Sequence, residues 1–426
     1  MGTDGGGVGS SVGDQPMISL LQGDARHIPL VDGCVQTVIT SPPYWALRDY
    51  GVNGQIGLES TPEEYIEKLV GVFREVWRVL RPDGTVWLNL GDSYAGSWGN
   101  YGARAGKQRE RHVEKYVRHA WDEYVQRPPT SHRGLLGLKP KDLVGIPWRV
   151  ALALQANGWY LRSDIIWSKP NPMPESVTDR PTQSHEYVFL LTKSERYYYD
   201  AEAICEPVSS NTHARISQDL AKQVGSFRAN GGNKTNGPMK AVLRGSTRKL
   251  AEAGSGIKAN RSMESALVLL VDKRNRRTVW HIPSQSFSGA HFATFPEALV
   301  EPCVLAGTSQ AGMCAECGKP WKRIVERESM IIDRSERTHE LGRTRTSGTM
   351  VKPARATTLG WSSSCVCNCE APPQPCIVLD PFMGTATVGK VALKHRRSFV
   401  GLDLKWDYIQ LARQRTSEVQ PYLHAT

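Results

Sequence analysis

The chain has 426 residues, 40% of them hydrophobic, which allows a sizeable core and two or three domains. No apolar run approaches the ~18 residues of a membrane span. The first 16 residues are Gly/Ser-rich without a basic start or an apolar segment, so they read as a disordered tail rather than an export signal, and a cytoplasmic protein is expected. The formal charge of +11 favours a polyanionic partner, with a solvated basic surface as the plain alternative; the stretch Ala201–Trp280 alone holds 14 Lys and Arg against 6 Asp and Glu.

Met17–Leu21 reads as a strand. In Gly23-Asp24 just beyond it, the carboxylate either caps a following turn or accepts hydrogen bonds from a ligand. Val35–Ile39 is β-branched and apolar, a buried strand that stops at Pro42 and Pro43, which lack N–H groups and fix φ. The stretch Thr40-Ser41-Pro42-Pro43-Tyr44-Trp45 sets a small hydroxyl before this rigid turn and two aromatic rings after it. A planar base stacked on Tyr44, with Trp45 in the same pocket, would donate its exocyclic amine protons to the Ser41 hydroxyl and the Pro42 carbonyl. The structural alternative is a Pro-Pro turn carrying core aromatics.

Thr61-Pro62-Glu63-Glu64 opens a helix to Leu80, with Ile66, Leu69, Val70, Phe73, Val76 and Trp77 at helical spacing. Pro82-Asp83-Gly84 reads as a turn and Thr85–Leu90 as a strand, an αβ unit of a parallel sheet. The stretch 97–133 is a polar, basic, mobile insertion. Pro147–Ala156 is a helix, and Tyr160–Trp167 and His185–Thr192 are strands that fit a hairpin closing one sheet edge. Phe292–Leu305 is a short helix opened by Phe292 and Phe295, either core residues or part of a ligand site.

Ile377–Leu379 leads into Asp380-Pro381-Phe382-Met383-Gly384-Thr385, a helix follows, and the strand Ser398–Leu402 ends at Asp403. This β-turn-α-β pattern serves adenosine cofactors: the Gly-bearing turn admits the ligand and the second acid accepts the ribose hydroxyls. The phosphate-binding pattern G-x-G-x-x-G is absent. Ala386 stands where a second glycine is usual, tolerable if its φ is negative.

Of nine cysteines, five cluster: Cys314-x-x-Cys317-Gly318 and, 48 residues on from Cys317, Cys365-x-Cys367-x-Cys369. Four thiolates from Cys314, Cys317, Cys365 and Cys367 would make a closed structural zinc site, with Cys369 able to replace one of the second pair; an unmetallated reduced cluster is the alternative.

The S-P-P-Y, F-x-x-F-P (Phe292, Phe295, Pro296) and D-P-F-x-G (Asp380–Gly384) elements, together with His185–Thr192 and the order of catalytic motif first and cofactor turn last, resemble the permuted beta group of DNA amino-methyltransferases. The resemblance covers about residues 17–415. It implies an α/β, Rossmann-like S-adenosylmethionine-dependent fold, with a catalytic half at 17–200, a target-recognition region at 201–280 and a cofactor half at 281–313 and 371–416, interrupted by a zinc-ribbon-like insertion at 314–370; 417–426 is a tail. Catalysis would fall to Ser41, Pro42, Pro43 and Tyr44. The cofactor would lie on Asp24, Phe292, Phe295, Pro296, Asp380, Phe382, Gly384, Thr385 and Asp403. The expected activity is methyl transfer from S-adenosylmethionine to an exocyclic amine of a flipped base in double-stranded DNA, by a monomer or homodimer, with any restriction endonuclease on another chain. Ser at the first motif position favours cytosine N4 over adenine N6. Alternatives are methylation of RNA or protein, and a non-catalytic zinc-bearing DNA-binding protein on the same fold, favoured by Ala386.

Overall fold

The computed structural model describes residues 15–47, 49–95, 138–139, 141–207, 273–285, 296–328, 331–333, 349–352, 355–367 and 369–419. The expected insertion at 97–133, most of the expected target-recognition region, and Phe292 and Phe295 lie outside the described residues. The chain divides into two compact units: Met1–Ile204, Arg277–Lys322 and Ser363–Thr426 form the first, and Cys205–Arg276 with Arg323–Ser362 form the second.

In chain order the elements are β1 (Ile18–Gln22), β2 (Val35–Thr40), α1 (Pro62–Val79), β3 (Leu80–Leu90), α2 (Ile146–Ala156), β4 (Tyr160–Ser168), β5 (His185–Thr192), β6 (Glu206–Pro207), β7 (Lys273–Arg274), β8 (Val279–His281) and α3 (Glu297–Gly307). They continue with β9 (Lys322–Glu328), β10 (Ile331–Asp333), β11 (Thr349–Lys352), β12 (Arg355–Ser362), β13 (Ile377–Asp380), α4 (Thr387–Lys394), β14 (Ser398–Asp403) and α5 (Trp406–Ser417). No helix among the described residues is long and apolar enough to cross a membrane.

The first unit is built on one eight-stranded sheet in the order β1-β14-β13-β2-β3-β5-β4-β8. The five strands from β1 to β3 are parallel. Parallel neighbours need crossover connections, and here the connecting helices cover both faces. Alternate residues of each strand feed opposite cores. Val38, Leu88, Leu379 and Leu402 pack with Leu69, Phe73 and Val76 of α1 and Leu154 of α2. Ile39, Trp87, Val378 and Phe399 pack with Val304 of α3, Val391 of α4 and Ile409 of α5. Helix α1 starts as its sequence dictates: Glu64 N donates to Thr61 Oγ1 at 3.2 Å, Pro62 occupies the first turn, and Glu63 and Glu64 face the positive end of the helix dipole.

Two expectations change. Pro82-Asp83-Gly84 is not a separate turn, because α1 passes directly into β3. Val35 pairs with Leu80 and Thr37 with Thr85, so Arg81–Gly84 form a bulge against β2. A Cβ on Gly84 would lie 2.6 Å from Leu80 Cδ1 and 2.9 Å from Gln36 O, so glycine is what lets the bulge fold this closely. Nor does the β4–β5 hairpin form the edge of the sheet. It is antiparallel as expected, but β5 lies beside β3, and β8 pairs in parallel with β4 outside it. Trp280 of β8 is buried, its ring centroid 6.4 Å from that of Trp87, and this burial carries the end of the basic stretch into the sheet.

Taken by itself, the second unit contains short ladders: β6 antiparallel to β7, β10 antiparallel to β11, and β12 beside β9. Within it Arg274 Nε lies 2.9 Å from Glu206 Oε1, and the Arg323 guanidinium sits 4.3 Å over the Trp361 ring.

Candidate active site

The two motif-bearing loops leave adjacent strands at one end of the sheet. In the β2–β13 pair Val38 lies opposite Leu379, and one step beyond the pair Thr40 Oγ1 donates to Asp380 Oδ1 at 2.7 Å. Next to them Asp403 ends β14 opposite Gln22 of β1, and Gly23 N donates to Asp403 O at 3.0 Å, which brings Asp24 to the same rim. The carboxyl ends of parallel strands are where open α/β sheets receive ligands.

Tyr44 is anchored through its hydroxyl, which donates to Glu186 Oε2 at 2.7 Å and accepts from Ser41 Oγ at 3.4 Å. Glu186 also accepts from Asn89 Nδ2 at 3.1 Å and pairs with Lys169. Burial, then the charge of Glu186, holds the Tyr44 phenol well above its ordinary pKa, so it is a neutral donor. The Tyr44 ring rests directly on Gly91, where a Cβ would come within 2.6 Å of Cε2. Tyr65 Oη donates to Pro43 O at 2.8 Å and fixes the prolines from beneath. Trp45 corrects an expectation. It is 8% exposed, packs in the core, and its indole N–H donates to Glu59 O at 2.9 Å, so it backs the loop instead of lining a base pocket.

On the cofactor side, Asp380 is 1% exposed and burial pushes its carboxyl up to about 7, against the opposing hydrogen bonds from Thr40 and from Phe382 N. Gly384 has φ +48°, and a Cβ there would meet nothing within 4 Å, so space stands open over the turn. Its N–H donates to Asp403 Oδ2 at 3.0 Å, while Asp403 Oδ1 accepts from Lys405 N at 2.8 Å; burial raises the Asp403 carboxyl. Asp24 is held well ionised by the Arg26 guanidinium, whose Nη2 lies 2.5 Å from Oδ2. Phe382 is half-buried at the edge of the core, and Pro296 is buried at the start of α3. Thr385 turns away from the rim: it is buried and Arg415 Nη1 donates to its Oγ1 at 2.5 Å. An open glycine turn flanked by two acids, one fully buried, fits a cationic adenosine-bearing cofactor.

The φ of Ala386 is +56°, not negative, and its methyl is fully buried. The left-handed conformation costs an L-residue about 1–2 kcal/mol, and it is worse for a β-branched one. Ala386→Val should therefore lose at least ~2 kcal/mol of unfolding free energy, read as a lowered midpoint in chemical denaturation.

Sequence reasoning missed Glu186, Asn89 and Lys169. Glu186 left a signal: it is the one acid in the strand His185–Thr192, just before the aromatic and aliphatic run Tyr187–Leu191. Because β5 runs antiparallel to β3, its first residues reach the rim where β2 and β3 end. The expected metal ligands Cys314, Cys317, Cys365 and Cys367 do come together, their sulfurs within 4.8 Å of one another; Cys369 is not in the group.

The sequence pattern of the DNA methylase family of N6/N4 type matches residues 35–315 and 374–414. Type II methyltransferase M.Cfr9I of Citrobacter freundii is 36% identical over 399 residues, covering 93% of this chain and 87% of that protein. Type II methyltransferase M.SmaI of Serratia marcescens is 35% identical over 398 residues, covering 93% and 89%. Among solved structures, the PvuII DNA methyltransferase (cytosine-N4-specific) aligns over 97% of this chain and 95% of its own at 13% identity, with a TM-score of 0.46. By its family pattern and these relatives, the chain belongs to the N6/N4 DNA methylases, S-adenosylmethionine-dependent enzymes that methylate exocyclic amines of DNA bases.

Proposed function

We propose that this enzyme methylates N4 of cytosine within a specific double-stranded DNA sequence, with Ser41, Pro42, Pro43 and Tyr44 as its catalytic residues. The observation that carries the site is the Thr40–Asp380 hydrogen bond, 2.7 Å long, which ties the strand ends of the two motifs together. The base assignment rests on Ser41 at the first motif position, and adenine N6 is the competing target.

The base must leave the duplex to reach this rim. Tyr44 stacks it, with the ring angle fixed by Glu186 and Gly91. The Ser41 hydroxyl and the Pro42 carbonyl accept the amine protons and so hold the nitrogen lone pair toward the cofactor. When bound, S-adenosylmethionine supplies an electrophilic methyl group. Asp403 would accept its ribose hydroxyls, Asp24 its adenine amine, and Asp380 and Gly384 would line its methionine side, with Phe382 and Pro296 beside them. No covalent adduct to the protein is needed; positioning and oriented acceptors supply the catalysis. The basic stretch 201–280 supports a target-recognition role, since Lys and Arg contact phosphates and guanine edges. A separate endonuclease of the same specificity, and action in the cytoplasm of a bacterial, archaeal or phage-infected cell, complete this reading.

Nucleoside mass spectrometry of DNA methylated by the purified enzyme tests it. N4-methylcytosine is expected. N6-methyladenine alone would overturn the choice of base, and no methylated nucleoside at all would overturn the catalytic assignment.

A further inference from the structure

We propose that Cys314, Cys317, Cys365 and Cys367 bind a structural zinc ion that clamps the first unit at the end of the sheet opposite the catalytic rim. The four sulfurs already lie within 4.8 Å of one another although the two pairs are far apart in the chain. Tetrahedral zinc with Zn–S bonds of about 2.3 Å needs sulfurs about 3.8 Å apart, so only a small contraction is required. The first pair has the form of a metal knuckle. Gly318 N donates to Cys314 O at 2.9 Å, Cys314 N donates to Lys319 O at 2.9 Å, and Gly318 takes the left-handed φ of +67° that the turn demands.

The knuckle is docked on the sheet. Gln36 Nε2 donates to Gly318 O at 3.2 Å, and Arg81 donates to Cys317 O. Gln36 and Arg81 lie at the starts of β2 and β3, whereas Ser41 and Asn89 lie at or just past their far ends, roughly 16 Å away along β2. The metal therefore has no access to the reacting groups and its role is mechanical. The chain leaves for residues 323–362 just after one pair and returns just before the other, so the ion would cross-link that departure and return.

Charge and access agree with this. Cys317, Cys365 and Cys367 line a cleft of about 610 Å³ together with Arg81, Lys319 and Lys322. Four thiolates around Zn²⁺ make a centre of net charge −2, which Lys319 and Lys322 would stabilise; Asp83, also in the cleft, is paired with Arg81 at 2.9 Å. None of the four cysteines is paired in a disulfide. The cleft also leaves the site open to chelators.

The test is metal analysis of the full-length enzyme purified under reducing conditions from zinc-supplemented cells. About one zinc per chain is expected, with an X-ray absorption edge fitted by four sulfurs. Cys365→Ser should lose most of the zinc, and Cys369→Ser should keep all of it. Stripping the metal should open the 312–322 segment to proteolysis while changing the Kd for S-adenosylmethionine less than twofold. Less than a tenth of a zinc per wild-type chain, a Cys–Cys disulfide by mass spectrometry, or equal zinc loss in Cys369→Ser would overturn the proposal. If Cys365→Ser does not fold, the wild-type stoichiometry and the Cys369→Ser control decide alone. None of these readouts depends on which base is methylated.

Discussion

Tyr44→Ala should lower the turnover of methyl transfer by at least ~100-fold and leave the Kd for S-adenosylmethionine within about twofold. Stacking of an everted base on an aromatic ring contributes about 1–3 kcal/mol, and mispositioning the amine by about 1 Å adds a further ~100-fold loss. The cofactor is spared because Tyr44 follows β2, and its anchors, Glu186, Asn89 and Gly91, come from β5 and β3, away from Asp403 and Asp24. Truncation is expected to act on kcat more than on KM, since DNA affinity is dominated by phosphate contacts elsewhere. Tyr44→Phe separates stacking from anchoring: it keeps the ring but loses the 2.7 Å bond to Glu186, and should retain most of the stacking contribution. Glu186→Gln keeps an acceptor for the Tyr44 hydroxyl but loses the charge that pairs with Lys169, and should fall between Tyr44→Phe and wild type. Single-turnover rates on a methyl-acceptor duplex measure all three. Wild-type turnover in Tyr44→Ala would remove base stacking from the mechanism.

The parts legible in the sequence were those whose physics is local. The Pro-Pro turn after Val35–Ile39, the capped start of α1 at Thr61, and the acid ending the strand at Asp403 all follow from neighbours within a few residues. That the strands leading to Ser41 and to Gly384 end side by side was legible only because each motif named its place at a strand's carboxyl end; parallel pairing of β2 with β13 sets Thr40 against Asp380. What escaped depends on partners distant in sequence. Glu186 reads as one charge in a strand until the antiparallel ladder aligns Tyr187 with Leu90, near the end of β3. Trp45 looked available next to Tyr44, yet the carbonyl of Glu59, 14 residues on, captured its indole and the ring is buried in the core. Pro82-Asp83-Gly84 has turn composition, but close packing on Leu80 and Gln36 folds it into the sheet as a bulge. The sign of φ at Ala386 could not be read at all, because it is set by how β13 hands over to α4: its N–H donates to Met383 O at 2.8 Å.

The affinity for S-adenosylmethionine should weaken as pH falls below 7, by up to ~10-fold per pH unit, through Asp380. In the ligand-free protein its carboxyl titrates at about 7, because burial disfavours the charged form. A cofactor with a permanent sulfonium charge favours the carboxylate. Binding therefore expels the proton that Asp380 holds at pH 6, whereas at pH 8 there is none to expel, and by linkage the affinity is higher at pH 8. The stability of the ligand-free enzyme moves the other way. The folded carboxyl has its pKa raised from 3.8, so between about 4 and 7 the folded state binds more protons than the unfolded state, and stability falls as pH rises through that window. Cofactor should thus raise the melting temperature more at pH 8 than at pH 6. Asp380→Asn should flatten both profiles: it keeps the acceptor for Thr40, carries no titrating proton, and should bind cofactor more weakly than wild type at pH 8 while melting higher without it. Calorimetric titrations in two buffers of different ionisation enthalpy would count the released proton directly, at close to one per cofactor at pH 6. Equal affinities at pH 6 and 8, or an unchanged pH profile in Asp380→Asn, would show that the buried acid does not sense the cofactor's charge.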